Sequence, residues 1–238
     1  MKVDILAIGV HPDDVELSCS GTLLRHIDLG YKVGLLDLTQ GEMGTRGSVE
    51  DRMREAENSR KIMGAEWRIN LQMEDAFFEY SRENILKITE VIRRAQPKIV
   101  LGNAIQDRHP DHGRASKLIE DACFYSGLAK VEQDFEGKSL DPWRPDAVYH
   151  YIQDRNLKAD FVVDISNYME KKIECILAFE SQFYKEGMEG PKTPISGKDF
   201  LDFVKSKNRT YARDIKVDFA EAFTIKRDIG VTNLFNLI

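Results

Sequence analysis

Two short segments of the chain concentrate imidazole and carboxylate side chains. Residues 11–14 read His-Pro-Asp-Asp, and residues 107–112 read Asp-Arg-His-Pro-Asp-His. Catalytic zinc is usually held by three protein ligands of histidine or carboxylate type, with a water molecule in the open position. Three of the five histidines fall in these two segments. The pattern therefore predicts a metal site to which both segments contribute.

A simpler interpretation of each segment is a polar turn before a helix. Proline favours turns, and aspartate readily caps a helix, as Asp111 could do in the second segment. One cap needs only one carboxylate, however, and the adjacent pair Asp13 and Asp14 would repel each other unless a cation lay nearby. The other histidines, His26 and His150, lie in a predicted helix and strand and are expected to be structural.

Alternating apolar runs and helical patterns predict the elements that carry these segments. The predicted strands and helices of the first half are Val3–Val10, Val15–Leu29, Val33–Leu38, Val49–Met63, Trp67–Leu71, Arg82–Ala95, Ile99–Gly102 and Arg114–Tyr125. Further along, strands are predicted at 147–152 and 161–165, helices at 168–179 and 196–212, and a strand or packed arm at 219–225. This order predicts a single domain over residues 1–238 with an α/β, Rossmann-like, doubly wound fold. Its sheet is mostly parallel with helices on both faces, and its C-terminal third is irregular.

The two polar segments follow the first and the fourth predicted strands. In the common doubly wound order these strands are neighbours at the switch point, where their loops separate and open a crevice for ligands. A dinucleotide-binding protein would carry G-x-G-x-x-G after its first strand, whereas this chain has Gly-Val-His-Pro-Asp-Asp at residues 9–14. The segment therefore favours a cation over a nicotinamide cofactor.

Composition limits the class of partner. Among 238 residues, 40 acidic side chains outnumber 34 basic ones, which argues against a nucleic-acid partner. No apolar run approaches the roughly 18 residues that span a bilayer, and the first residues are typical of a strand rather than a secretory signal. Three scattered cysteines predict reduced thiols. We therefore expect a small-molecule substrate, no membrane association and a cytoplasmic location.

The sequence resembles the LmbE-like family of zinc-dependent N-acetylglucosaminide deacetylases, which includes the GlcNAc-PI de-N-acetylases. The resemblance covers nearly the whole chain. Its later segments look closest to the branch of bacillithiol biosynthesis, whose substrate is N-acetylglucosaminyl-malate. Val10 stands where the family commonly has alanine. The matching segments are 9–16, 40–42, 107–112, 180–183, 192–194 and 220–223.

This resemblance implies a role for each residue of the two segments. His11, Asp14 and His112 would bind the metal, which would be zinc, with ferrous iron as the alternative. Asp13 would be the general base that takes a proton from water. His109 would be the general acid that also faces the oxyanion, with a raised pKa and an orientation that Asp111 would fix.

The same resemblance suggests substrate contacts. Arg52 and Arg108 match basic positions of the bacillithiol branch and could bind an acidic aglycone, or they could pair with Glu50, Asp51 or Asp107. Glu42 and Arg46 are expected at the substrate as well, in a glycine-containing loop, 40–48, that is either a lid or an ordinary flexible loop. Relatives form homo-oligomers, including hexamers, so we expect the same here.

Two other functions fit part of the pattern. Two histidines and a carboxylate also describe the iron site of non-haem oxygenases, but such a site needs no neighbouring base, so Asp13 favours hydrolysis. A non-catalytic sugar- or metal-binding protein would be expected to lack the base or the acid, and Asp13 and His109 are both present. A metal-dependent N-deacetylase is therefore the predicted function.

Overall fold

The computed structural model describes residues 1–184, 187 and 190–236. Its strands are β1 (Ile5–Gly9), β2 (Val33–Thr39), β3 (Trp67–Met73), β4 (Ile99–Gly102), β5 (Asp134–Phe135), β6 (Lys138–Ser139), β7 (Ala147–Tyr151), β8 (Phe161–Asp164) and β9 (Ala220–Thr224). Its α-helices are α1 (Asp14–Asp28), α2 (Val49–Met63), α3 (Arg82–Ala95), α4 (Pro110–Tyr125), α5 (Met169–Leu177) and α6 (Phe200–Ala212). Short 3-10 helices cover Ser166–Tyr168 and Leu234–Asn236.

Seven strands form one sheet in the order β3-β2-β1-β4-β7-β9-β8. The pairs from β3 to β7 are parallel, whereas β9 runs antiparallel to both β7 and β8. The predicted α/β, doubly wound fold with a mostly parallel sheet is therefore confirmed. So is the expected pairing of β1 with β4, which places the ends of these two strands side by side.

Helices cover both faces of the sheet, which is why its central strands are apolar on both sides. In β1, Leu6 and Ile8 pack into a core cluster with residues of α3 and α4. Their neighbours Ile5 and Ala7 point to the other face and pack with residues of α1, α2 and α5. Because α1, which follows β1, and α4, which follows β4, lie on opposite faces, the loops after these two strands separate there.

Two helices begin at other residues than predicted, and the difference matters for the site. Helix α4 begins at Pro110, earlier than the predicted Arg114, so half of the second polar segment, residues 110–112, lies in its first turn. The N-cap is His109 rather than Asp111, and proline at the first helical position suits the fixed φ of that residue. Helix α6 begins at Phe200, four residues after the predicted Ser196.

The C-terminal segment at 219–225, for which the sequence left a strand or a packed arm open, forms strand β9 between β7 and β8. The two-residue strands β5 and β6 were not predicted, because such short segments show no alternation. Their turn is made by Glu136 and Gly137, both with positive φ. Within the described residues, no helix is long and apolar enough to cross a membrane.

A buried ion pair joins α1, α5 and β9. Lys172 Nζ lies 2.6 Å from a carboxylate oxygen of Glu221, and both side chains are fully buried. The Glu221 carboxylate also accepts hydrogen bonds from the backbone amides of Gly21 and Thr22, and Lys172 Nζ donates to the carbonyl of Leu17. Both charges therefore have several partners, and each depends on the other for neutrality.

We expect Lys172→Met to destabilise the protein by about 3–5 kcal/mol, because removal of one partner leaves a buried charge uncompensated. Urea denaturation measures this as a lower midpoint. The neighbouring Lys171, which pairs with Glu174 at the surface, provides the matched control Lys171→Met, which should shift the midpoint little. Equal midpoints for the two variants would show that the buried pair does not stabilise the fold.

Candidate active site

The carboxyl ends of five strands enclose a cavity of about 240 Å³. Residues after β1, β2, β3, β4 and β7 line it, and helix α6 contributes a further wall. The sequence pointed to the ends of β1 and β4, which do supply the polar centre. The contributions of β3 and β7 were not predicted.

The three predicted metal ligands converge at this centre. Asp14 Oδ1 lies 3.2 Å from His112 Nε2, and Asp14 Oδ2 lies 3.7 Å from His11 Nδ1. The two imidazole rings are 5.7 Å apart between centroids. Asp14 thus bridges the two histidines, although 98 positions separate it from His112 in the sequence.

The far nitrogen of each histidine meets a carboxylate. His11 Nε2 lies 3.0 Å from Asp75, and His112 Nδ1 lies 2.5 Å from Asp107. Metal-bound histidines usually donate their second ring N–H to such a group, which fixes the ring and its tautomer. This arrangement leaves His11 Nδ1 and His112 Nε2 facing Asp14, as a shared cation would require.

Two sets of side chains bring possible ligand atoms within 4.8 Å of one another in the described chain, His11 with His109 and His112, and His11 with Asp75 and Asp111, and Asp14 belongs to neither. In the second set both carboxylates contact His11 Nε2, whereas His11 Nδ1 faces Asp14. We therefore favour the set that includes Asp14, because its donors are each supported from behind.

Two amides that the sequence did not single out hold Asp14 in place. Asn103 Nδ2 donates to Asp14 Oδ2 at 2.9 Å, and Gln153 Nε2 donates to Asp14 Oδ1 at 3.0 Å. Asn103 directly follows β4, and Gln153 follows β7 by two residues. Polar residues at the carboxyl ends of parallel strands face one crevice. A search for polar residues after every strand would therefore have found Asn103 and Gln153, and also Asp75 after β3.

The buried carboxylates of the centre need positive charges nearby. Burial opposes protonation of both rings, yet the neighbouring carboxylates raise the pKa of His11 to about 10 and that of His112 to about 9. Burial raises the pKa of Asp14, but His112 and His11 outweigh it and hold that pKa well below its usual range. Protons on two imidazoles therefore supply, in the metal-free protein, the charge that a divalent cation would bring.

Asp13 lines the same cavity as the three predicted ligands. It is the N-cap residue of α1 with φ of 120°, a conformation that is strained for a residue with a side chain and is typical of functional positions. Burial raises its pKa to about 7, although Arg52 opposes the shift. The Arg52 guanidinium lies 3.4 Å from Asp13 Oδ2 and donates to the carbonyl of Pro12.

His109 lies at the cavity wall, and its ring centroid is 4.8 Å from that of His11. Its Nδ1 accepts a hydrogen bond from the backbone amide of Asp111, so the neutral ring carries its proton on Nε2. Burial and the neighbouring imidazoles lower the pKa of His109, and the opposing effect of Asp111 does not overcome them. The expected raised pKa is therefore wrong in its net direction.

The Asp111 carboxylate contacts other groups more closely than His109. Its Oδ2 lies 4.0 Å from His109 Nδ1 but 3.4 Å from His11 Nε2, and it also accepts from the backbone amide of Ala76. Asp111 thus supports the predicted ligand His11, and its backbone rather than its side chain orients His109.

Two of the four predicted substrate-binding residues line the cavity. Arg52 and Arg108 do so, but neither pairs with the acids considered from the sequence: Arg52 contacts Asp13, and Arg108 forms an ion pair with Asp154.

Glu42 and Arg46 are not among the described residues that line the cavity; they anchor the 40–48 loop instead. The Glu42 carboxylate accepts from the amide of Asp75, and Arg46 donates to the carbonyls of Ser181 and Pro191. In this position the loop forms part of the cavity rim.

Several known proteins are similar to this chain in sequence and in fold. Residues 6–123 match the family described as PIG-L, GlcNAc-PI de-N-acetylase. The diacetylchitobiose deacetylase of Thermococcus kodakarensis is 34% identical over 195 residues, which cover 78% of this chain and 72% of that protein. Among solved structures, the conserved protein TT1542 of Thermus thermophilus has a TM-score of 0.86 at 32% identity, covering 98% of both chains. An N,N'-diacetylchitobiose deacetylase from Pyrococcus horikoshii has a TM-score of 0.78 at 26% identity, covering 98% of this chain and 88% of that one.

These similarities, together with the polar centre, define an α/β protein of the de-N-acetylase class. The chain belongs to the PIG-L or LmbE-like deacetylase family.

We expect zinc binding to the metal-free protein at pH 7 to release about two protons, since His11 and His112 must both lose theirs to act as ligands. Titration calorimetry in buffers of different ionisation enthalpy measures this number. Apparent affinity should also fall as the pH is lowered from about 9. His26→Gln, a change at a histidine bonded to the carbonyl of Thr22, is the control and should leave both results unchanged. A binding heat independent of the buffer would contradict this account of the centre.

Proposed function

We propose that this chain is a metal-dependent hydrolase that removes the acetyl group from an N-acetylglucosaminide and releases acetate and a free amine. The observation that carries the proposal is the meeting of His11, Asp14 and His112 in a cavity, with Asp13 and His109 beside them. Membership of the deacetylase family supports the same reaction.

The donor set suits zinc, with ferrous iron as the alternative. Two imidazoles and one carboxylate are a common set for catalytic zinc, and the two histidines have carboxylates behind them that strengthen their donor nitrogens. Bound there, the metal would polarise the amide carbonyl and acidify water. The residues of the chain itself perform the remaining work.

We assign Asp13 as the general base. A carboxylate with a pKa near 7 is able to take a proton from water at neutral pH and to return it later, which a carboxylate with an ordinary pKa does less well. Burial provides this elevated pKa, and Arg52 keeps the charged form accessible. The strained backbone at Asp13 holds its side chain beside the ligands.

His109 is assigned as a donor to the oxyanion. Because its Nδ1 accepts from the Asp111 amide, the Nε2–H is available to donate a hydrogen bond as the carbonyl oxygen becomes negative. Its lowered pKa favours the neutral ring, and a cation at the ligands would act in the same direction. The general-acid role implied by the family resemblance would need an imidazolium, so we assign the proton of the departing amine to Asp13.

The proposed substrate carries an acidic aglycone, as N-acetylglucosaminyl-malate does. Arginines 52 and 108 line the cavity beside the centre, which supports a negatively charged substrate. A second candidate is a chito-oligosaccharide. The relative from Thermococcus kodakarensis favours it, since that protein is a diacetylchitobiose deacetylase.

We expect the zinc-loaded protein to release acetate and free amine from N-acetylglucosaminyl-malate, and more slowly from diacetylchitobiose. Amine derivatisation and an acetate assay measure the two products, which should form in equal amounts. The metal-free protein is the control and should be inactive until zinc is restored. Absence of acetate with either compound, and with other N-acetylglucosaminides in a panel, would overturn the proposed function.

Two variants separate the base from the ligands. Asp13→Asn should retain bound metal but lose kcat by about 10²–10⁴-fold, the usual contribution of a general base. His112→Ala should lose the metal and with it activity. Metal content by elemental analysis, measured beside kcat, distinguishes the two, and His26→Ala is the matched control. Near-normal turnover by Asp13→Asn would exclude Asp13 as the base.

A further inference from the structure

One face of helix α6 forms a wall of the cavity. Six of its residues line the cavity at the three- and four-residue spacing of a single helix face: Phe200, Phe203, Val204, Lys207, Asn208 and Tyr211. Most of this face is apolar or aromatic. Lys207 is therefore a single positive charge in an otherwise largely uncharged helical surface.

The Lys207 ammonium has few partners. Its Nζ donates one hydrogen bond, 3.3 Å long, to the carbonyl oxygen of Ile152. Within the described chain, it has no carboxylate at ion-pair distance. Burial lowers its pKa to about 8, and the more distant charges of Asp107 and Asp154 offset that shift only in part.

The two carboxylates whose charges act on Lys207, those of Asp107 and Asp154, already contact other groups. Asp107 contacts His112 and accepts from the backbone amide of Arg155 at 2.7 Å. Asp154 pairs with Arg108. A partly buried ammonium with no carboxylate of its own is costly unless a ligand supplies the negative charge.

Lys207 lines the same cavity as Asp14 and is linked to it through the segment after β7. Ile152, which accepts its hydrogen bond, is followed by Gln153, and the side chain of Gln153 donates to the ligand Asp14. Since α6 forms one wall of this cavity, it is placed to contact the remaining groups of a substrate whose acetamide lies at the centre. Arg108, the other cation on this side, is half-exposed and already paired.

We propose that Lys207 binds a carboxylate of the group attached to the sugar and so selects acidic over neutral glucosaminides. This inference rests on the proposed deacetylase function and names the residue that sets its substrate class. A carboxylate gains a charge-assisted hydrogen bond at Lys207. A neutral sugar in the same place would displace water and leave the ammonium without a counter-charge, so it is selected against.

The test compares kcat/KM for N-acetylglucosaminyl-malate with that for methyl N-acetylglucosaminide. In Lys207→Met the ratio of the two values should fall about ten- to a hundredfold, the range expected for loss of a hydrogen bond between charged groups. Lys207→Arg, which keeps the charge, should retain most of the ratio. The matched control is Lys205→Met, on the same helix, where the lysine pairs with Glu170 at the surface. It should change neither value.

An unchanged ratio in Lys207→Met would overturn the inference, even if both values fall together, because that result indicates a general structural role. A higher kcat/KM of the wild-type enzyme for the methyl glycoside would overturn it as well.

A binding measurement keeps the inference separate from the proposed function. If the wild-type enzyme deacetylates neither compound, the proposed function fails. Calorimetry with the amines glucosaminyl-malate and methyl glucosaminide, on the zinc-loaded protein, then still tests Lys207. Preferential binding of the malate compound by the wild type, lost in Lys207→Met but not in Lys205→Met, supports the inference. Equal Kd values for the two amines, or no binding of either, contradict it.

Discussion

The structure depends on the electrostatic balance around Asp14. This buried carboxylate lies between His11 and His112, and Asn103 and Gln153 donate to it from two further strand ends. Around it the chain buries more negative charge than its arginines and lysines neutralise, so protons or a cation must make up the difference. The doubly wound fold makes the arrangement possible, because it brings several strand ends to one crevice.

Much of this could be predicted from the sequence, because the signals were local. Strand β1 is a continuous apolar run and β2 is mostly apolar. Helices α2 and α3 have clear ends: α2 stops before Gly64, which has positive φ, and α3 stops shortly before Pro97. The His-Pro-Asp pattern occurs twice, so the two segments that form the polar centre were evident from residue type and spacing. That they follow neighbouring strands came from the topology rule alone.

What could not be predicted depends on contacts between distant segments. Nothing near Gln153 in the sequence indicates that its amide reaches Asp14, and Arg52 could not be assigned to Asp13 before the two were placed in space. The predicted contact of Asp111 differs from the observed one for the same reason. Its proximity to His109 along the chain suggested a side-chain contact, whereas the first turn of α4 directs the carboxylate toward His11. The net pKa of His109 likewise depends on burial and on two rings from other positions.

The position of α6 has an evolutionary consequence. The proposed ligands, base and oxyanion donor all lie within the first 112 residues, inside the region that matches the family, 6–123. The helical wall at 200–212 lies outside it and is joined to the sheet through the C-terminal third. On the proposed function, mutation of this wall would therefore reshape the recognition of the aglycone and leave the proposed hydrolytic residues unaltered. Exchange of this segment between paralogues is accordingly a direct route to deacetylases of new specificity.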